Sequence, residues 1–149
     1  MKRIKKISVL MLAAAFFWIY PSYTDDSVPT VFVNRTPVQF SENQPILKNN
    51  RTMIPLREMF RVFHFEASYH GDTQTIYLRN NDEKIFFRIG DLRFFTERGN
   101  TIQAHDLDVA PILQDSRTYL PLRAFAEALG AEVVWDGKTA SVFITLKDS

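Results

Sequence analysis

"NRTMIPLREMF" (residues 50–60) decides how this chain is read, because nearly the same phrase returns as "SRTYLPLRAFA" at residues 116–126. Arg51 to Arg117 is a step of 66 (117 − 51). The same step carries Pro45-Ile46-Leu47 onto Pro111-Ile112-Leu113 and Gly71 onto Gly137, with no gap between. Eleven of the 34 residue pairs between 45–78 and 111–144 are identical, and most others exchange one apolar residue for another. Such agreement points to an internal duplication.

Working outward from the phrase, Leu56, Met59, Phe60 and Phe63 fall at i, i+3, i+4 and i+7, as do Leu122, Phe125, Ala126 and Leu129. That spacing predicts a short amphipathic helix in each copy, over 55–63 and 121–129, with Leu56, Phe60, Phe63, Leu122, Phe125 and Leu129 inward. Pro55 and Pro121 suit the first helical turn, where a missing N–H costs nothing. Gly130 suits the left-handed position that ends a helix, and His64 occupies it in the first copy. "RTMI" and "RTYL" before the helices read as short strands. After them, "FEASY"–"HGDT"–"QTIYLR" and "AEVVW"–"DGKT"–"ASVFITL" read as hairpins, with Asp136-Gly137 the stronger turn signal. "VFVNRTPVQF" reads as another hairpin, and "KIFFRIGDLRFFTERGNTIQ" as two or three more strands. The expected fold class is α+β: antiparallel strands packed on two short helices, a strand–helix–hairpin unit occurring twice.

A chain of 149 residues with 46% apolar residues and thirteen phenylalanines has material for one compact domain. Its beginning is atypical. Lys2, Arg3, Lys5 and Lys6 precede an apolar run from Ile7 to Tyr20, broken by Pro21 and followed by Asp25 and Asp26. This is the layout of a secretory signal peptide over 1–24, too short for an ordinary membrane span of roughly 20 residues. Ser22 and Thr24 make a poor cleavage site, so an uncleaved anchor is the alternative, and the membrane would be met only through that segment. Without residues 1–24, Lys+Arg falls to 14 (18 − 4) against 17 Asp+Glu, a balance that argues against a nucleic-acid partner. The chain has no cysteine, hence no disulfide and no lipid anchor on an N-terminal Cys.

Taken together, a hairpin with an Asn-x-x-Pro turn (Asn34–Pro37), the "RTMIPLR" and "RTYLPLR" corners, a helix ending in "ALGA" and "VVWDGKT" leading into a strand resemble the copper amine oxidase N-terminal domain-like, or stalk domain, family, common in exported proteins of Gram-positive bacteria. The second copy is close to the family pattern; in the first, His64, Tyr69 and His70 stand where Gly, Trp and Asp are usual. The resemblance covers about residues 30–147, with pseudo-repeats at 31–90 and 91–147. It assigns the structural motif to Pro55, Leu56, Arg57, Pro121, Leu122, Arg123, Trp135, Asp136 and Gly137. It implies a non-catalytic accessory module. The Asn-Tyr-Asp/Glu setting from which amine oxidases make their quinone is absent here.

The remaining chemistry is sparse. His64, His70 and His105 form no close helical pair, so no metal site and no cofactor is expected. Asp106 and Asp108 lack the further oxygen ligands of a calcium loop. Arg57 and Arg123 lie where the helix dipole disfavours a cation, by a few tenths to ~1 kcal/mol. A carboxylate should therefore offset each, with Glu66 and Glu132 the candidates; the functional alternative is contact with an anion or a partner. Phe86, Phe87, Phe94 and Phe95, with Tyr69 and Trp135, offer a sugar-stacking face, although neighbours on a strand point to opposite sides. The expected function is a non-catalytic exported structural or binding module of the cell envelope, secreted or held at the cell surface. It would act by contact with a cell-wall polymer or an envelope protein. The alternative is a small secreted hydrolase or metal-dependent enzyme with an unrecognised site.

Overall fold

Tight turns set the path of the chain. In the computed structural model, which describes residues 28–147, β1 (Thr30–Val33) turns through Asn34-Arg35 into the short β2 (Thr36–Pro37). The expected signal peptide, 1–24, lies outside the described residues. β3 (Ile46–Lys48) turns through Asn49-Asn50 into β4 (Arg51–Pro55). That strand runs without a linker into α1 (Leu56–Phe63), and the hairpin of β5 (Glu66–His70) and β6 (Thr75–Arg79) follows. β7 (Lys84–Arg88), β8 (Arg93–Arg98) and β9 (Thr101–Asp106) continue as a meander. Then come β10 (Ile112–Gln114), β11 (Arg117–Pro121), α2 (Leu122–Ala128), β12 (Glu132–Asp136) and β13 (Ser141–Thr145). Each strand of this last set begins and ends 66 residues after its counterpart, as 112 − 46 and 141 − 75 illustrate.

The turns recur at the same step. Asn49 and Asn50 have φ of 49° and 59°, and Asp115 and Ser116 have 48° and 59°. Two successive left-handed residues match the twist of a two-residue hairpin. At the helix ends His64 (φ 55°) and Gly130 (φ 83°) are both left-handed. The next N–H in each copy closes the cap at 3.0 Å, Phe65 onto the Phe60 carbonyl and Ala131 onto that of Ala126. The Asp136-Gly137 hairpin forms, but its loop has four residues and Gly137 is not left-handed; Ala140 is, with φ 48°. The Asp136 carboxylate builds the turn instead, accepting from the Lys138 N–H and the Thr139 hydroxyl, both at 2.9 Å.

The strands form three sheets, in the orders β12-β13-β1-β2, β10-β11-β4-β3 and β5-β6-β7-β8-β9. All pairings are antiparallel except β1 with β13, which is parallel in the register Phe32↔Phe143. The mostly antiparallel strands with two short helices make an α+β fold. In the middle sheet Ile54 faces Leu120, its own counterpart at the 66-residue step, while Met53 faces Pro121 and Pro55 faces Tyr119. The strand order β10-β11-β4-β3 therefore sets each strand and its counterpart at the 66-residue step at matching distances from the Ile54–Leu120 pair. The outer sheets do not follow the division at residue 90: β1 and β2 extend the β12–β13 hairpin, and β8 and β9 lie in the sheet of β5 and β6.

The main core lies where these layers meet. Phe125 of α2 is fully buried, stacked on Phe94 (4.2 Å) and edge-on to Phe87 (5.3 Å). Val31, Val142 and Ile144 reach the same cluster from the β1–β13 pair. Leu122 and Phe125 are buried as expected. Leu56, Phe60, Phe63 and Leu129 are only half-buried, packed at the cluster's margin. The buried residues of α1 are Met59 and Glu58, so its inward stripe is rotated from the one the spacing suggested. The fully buried Phe125 of α2 stands at the position of Met59 in α1.

Candidate functional site

The corner residues are placed alike in both units. Pro55 and Pro121 end their strands at the helix N-caps, and Leu56 and Leu122 open the helices. Arg57 and Arg123 follow on the exposed side. The carboxylates expected beside them are elsewhere. Glu66 stands cross-strand from Arg79 and pairs with it at 3.4 Å, because the hairpin register puts the two side by side. Glu132 faces Thr145. Arg123 approaches Glu127, one helical turn on, at 4.0 Å. Arg57 lines a shallow cleft of about 260 Å³ that also contains Arg117 and Glu42, whereas Arg123 does not line it. The two arginines considered together from the sequence are thus apart.

The repeated arginines that do bind carboxylates are those of the Arg-Thr pair. Arg51 Nε donates to Asp108 Oδ2 at 2.6 Å, and Arg117 lies 3.6 Å from Glu42. Glu42 and Asp108 are themselves 66 apart (108 − 42), so each arginine reaches the segment leading into the other unit. Running the 66-residue alignment three residues upstream of Pro45 would have revealed both partners. All four side chains are substantially exposed, so the pairs add little stability.

The histidines are dispersed. His64 caps α1, and His70 meets Tyr77 edge-on at 4.8 Å. His105 stacks on Phe94 at 4.7 Å, with Nε2 2.9 Å from the Thr96 hydroxyl. Burial pushes the His105 imidazole below its ordinary pKa, partly opposed by Glu83. Among the described residues no three His, Cys, Asp or Glu side chains group as metal ligands. Asp106 and Asp108 are spent on Arg93 and Arg51. The Asp136 carboxyl is held below its ordinary pKa, chiefly by the Lys138 N–H, as befits a turn-builder.

The aromatic residues separate by strand parity. Phe87 and Phe94 point into the core, while Phe86 and Phe95 point out, joined by Tyr77, which the sequence did not single out. Register aligns Ser68, Tyr77, Phe86, Phe95 and Ala104 as one row across all five strands. The rings stack in sequence, Tyr77 on Phe86 at 5.9 Å and Phe86 on Phe95 at 5.1 Å. Trp135 stands on another hairpin, and Tyr69, on β5, is paired with Ile76 rather than with Tyr77 and so falls outside the row. Two grooves of about 590 and 560 Å³ lie along the row, and both are lined by Tyr77 and Phe86. Charged side chains border it, paired among themselves: Arg79–Glu66 (3.4 Å), Lys84–Glu97 (2.7 Å), Arg88–Asp91 (3.0 Å) and Arg93–Asp106 (2.7 Å).

This sheet face carries the two grooves and the three stacked rings together. No curated relative and no solved structure shows a significant match. The family model described as "Copper amine oxidase N-terminal domain" matches residues 32–144, spanning the strand–helix–hairpin units and the meander between them. The chain belongs to the copper amine oxidase N-terminal domain family.

Proposed function

We propose that this protein is an exported, non-catalytic binding module of the bacterial cell envelope, acting by contact with cell-wall material or with a partner protein. The family match carries the reading, because in copper amine oxidases this domain is a non-catalytic accessory part. We further infer that the units at 45–78 and 111–144 arose by duplication. The common step of 66 in sequence, strand bounds and turns supports that reading. The basic head and apolar run of residues 1–24 support export. The hydrolase alternative loses its best carboxylates, since Asp106 and Asp108 are engaged by arginines.

Two measurements test this. The full chain, mixed with isolated bacterial cell walls and an envelope-protein fraction, should co-sediment with the walls or retain a specific envelope protein. Loaded with copper and exposed to air, it should release no hydrogen peroxide from primary amines. Amine turnover, or one tightly held copper per chain lost on His→Ala changes at 64, 70 or 105, would overturn the reading.

A further inference from the structure

Resting on the binding-module reading, we propose that the outer face of the five-stranded sheet binds a neutral, extended, β-linked glycan along the Tyr77–Phe86–Phe95 row. Three features of the face select that class. The first is shape. The row crosses the sheet at right angles to the strands, and five strands about 4.8 Å apart give it roughly 19 Å of length. In the other direction it is one side chain wide over the three rings, because the next outward residues on β6, β7 and β8, about 7 Å away, are Thr75 and the charged Arg79, Lys84, Arg88, Arg93 and Glu97; only on β9 does the exposed Ile102 widen it. A protein partner needs a broad desolvated apolar centre with a polar rim. A strip this narrow accommodates one linear chain. The three rings share one register row across adjacent strands, which suits an extended β-1,4-linked chain better than a helical α-linked one.

The second feature is charge. The four ion pairs bordering the strip hold four cations and four anions, so the face carries no excess of either sign. A polyanion would find each guanidinium and ammonium already neutralised. Paired carboxylates and guanidinium groups instead set acceptors beside donors, the arrangement that vicinal hydroxyls match.

The third is the exposure of ring faces. Phe86 is stacked on both sides, whereas Tyr77 and Phe95 end the stack. Their outward sides look onto Ser68 and Ala104, side chains too small to cover a ring. His70 borders the Tyr77 end edge-on. The half-buried Phe95 ring thus offers an apolar surface for the C–H face of a sugar, as does the part of the Tyr77 ring that His70 leaves uncovered, with hydrogen-bonding groups alongside.

The test titrates the full chain with the β-1,4-linked tetramer of N-acetylglucosamine, cellotetraose, α-linked maltotetraose and tetragalacturonic acid, read by calorimetry and amide chemical shifts. At least one of the two neutral β-linked tetramers should bind, more tightly than the α-linked and anionic ones, with shifts confined to β5–β9. Tyr77→Leu and Phe95→Leu, which keep apolar bulk and lose the ring, should each weaken binding by about tenfold. Tyr77→Phe should retain it. Phe143→Leu, at the position equivalent to Tyr77 in the other unit, should change nothing. Failure of both neutral tetramers to bind, undiminished binding in the Tyr77→Leu/Phe95→Leu double variant, shifts mapping elsewhere, or tighter binding of the anionic tetramer would each overturn the proposal. Cell-wall or envelope-protein binding that survives in that double variant would overturn this site while leaving the binding-module reading intact.

Discussion

Replacing His64 with glycine should stabilise the protein, and replacing Gly130 with alanine should destabilise it, although neither change touches the core. Both positions end a helix in the left-handed region, His64 at φ 55° and Gly130 at φ 83°. A residue with a Cβ is disfavoured there by roughly 1–2 kcal/mol. Glycine is offset by its greater freedom in the unfolded chain, roughly 0.5–1 kcal/mol. The difference leaves a gain of about 0.5–1 kcal/mol for His64→Gly. Gly130→Ala should lose a similar amount. A Cβ built on Gly130 meets nothing within 4 Å, so that loss is purely conformational. Gly137 is the internal control: it is not left-handed, and an added Cβ would meet only the Trp135 ring nitrogen at 3.4 Å, an ordinary contact. Gly137→Ala should therefore be neutral or slightly stabilising. Urea titration of the three variants, with the slope unchanged and only the midpoint moving, measures this directly. A midpoint that falls for His64→Gly, or stays put for Gly130→Ala, would refute the claim that backbone conformation governs these sites.

Other expectations follow from burial and charge. Phe125→Ala removes a fully buried ring stacked on Phe94 and should cost about 3 kcal/mol or more in a denaturant titration. Glu42→Ala breaks an exposed pair with Arg117 and should move stability by less than about 0.5 kcal/mol, an effect that shrinks further in high salt. The lowered pKa of His105 means that the folded state favours the neutral ring. The resulting stability is fully present above the unfolded value near 6.5 and is lost as pH falls below it toward the depressed folded pKa. Urea midpoints at pH 5.5 and 7.5 should therefore differ in that direction, and His105→Gln should flatten the difference.

The local units were legible in the sequence because a 66-residue step exposes every corner, helix and hairpin twice. Periodicity fixed the helices to within a residue or two, and "RTMI" and "RTYL" are indeed β4 and β11. Long-range pairing was less accessible. Nothing in "TVFV" says that β1 will lie parallel to β13 rather than pair within its own half, since that choice depends on which sheet edge the folded units leave open. The arginine partners were missed for a related reason. Glu66 and Glu132 recur in the alignment, but their places at the start of a hairpin turn them toward the opposite strand instead of back toward the helix. For the phenylalanines, alternation guaranteed that each Phe-Phe pair would split between two faces. It could not say which member points outward until the meander had a side packed against α2.

The two units also show how similar local sequences come to present different surfaces. Tyr77 and Phe143 are equivalent at the 66-residue step, and each stacks on a phenylalanine of the next strand, Phe86 in one case and Phe32 in the other, the latter at 4.9 Å. Beyond that point the sheets diverge. In the β1–β13 sheet the row reads Val134, Phe143, Phe32, Pro37 and stops at the two-residue β2, with no charged pair across it. In the other sheet the meander adds two full-length strands, a third ring and the flanking ion pairs. Both hairpins face the common core with the same alternate residues, Ile76 and Leu78 in one, Val142 and Ile144 in the other. Packing therefore constrains the inner faces equally, and the outer faces are free to differ. The extended strands lengthen one aromatic row and surround it with groups able to hydrogen-bond. Phe125 of α2, packed on Phe87 and Phe94, ties that sheet to the common core.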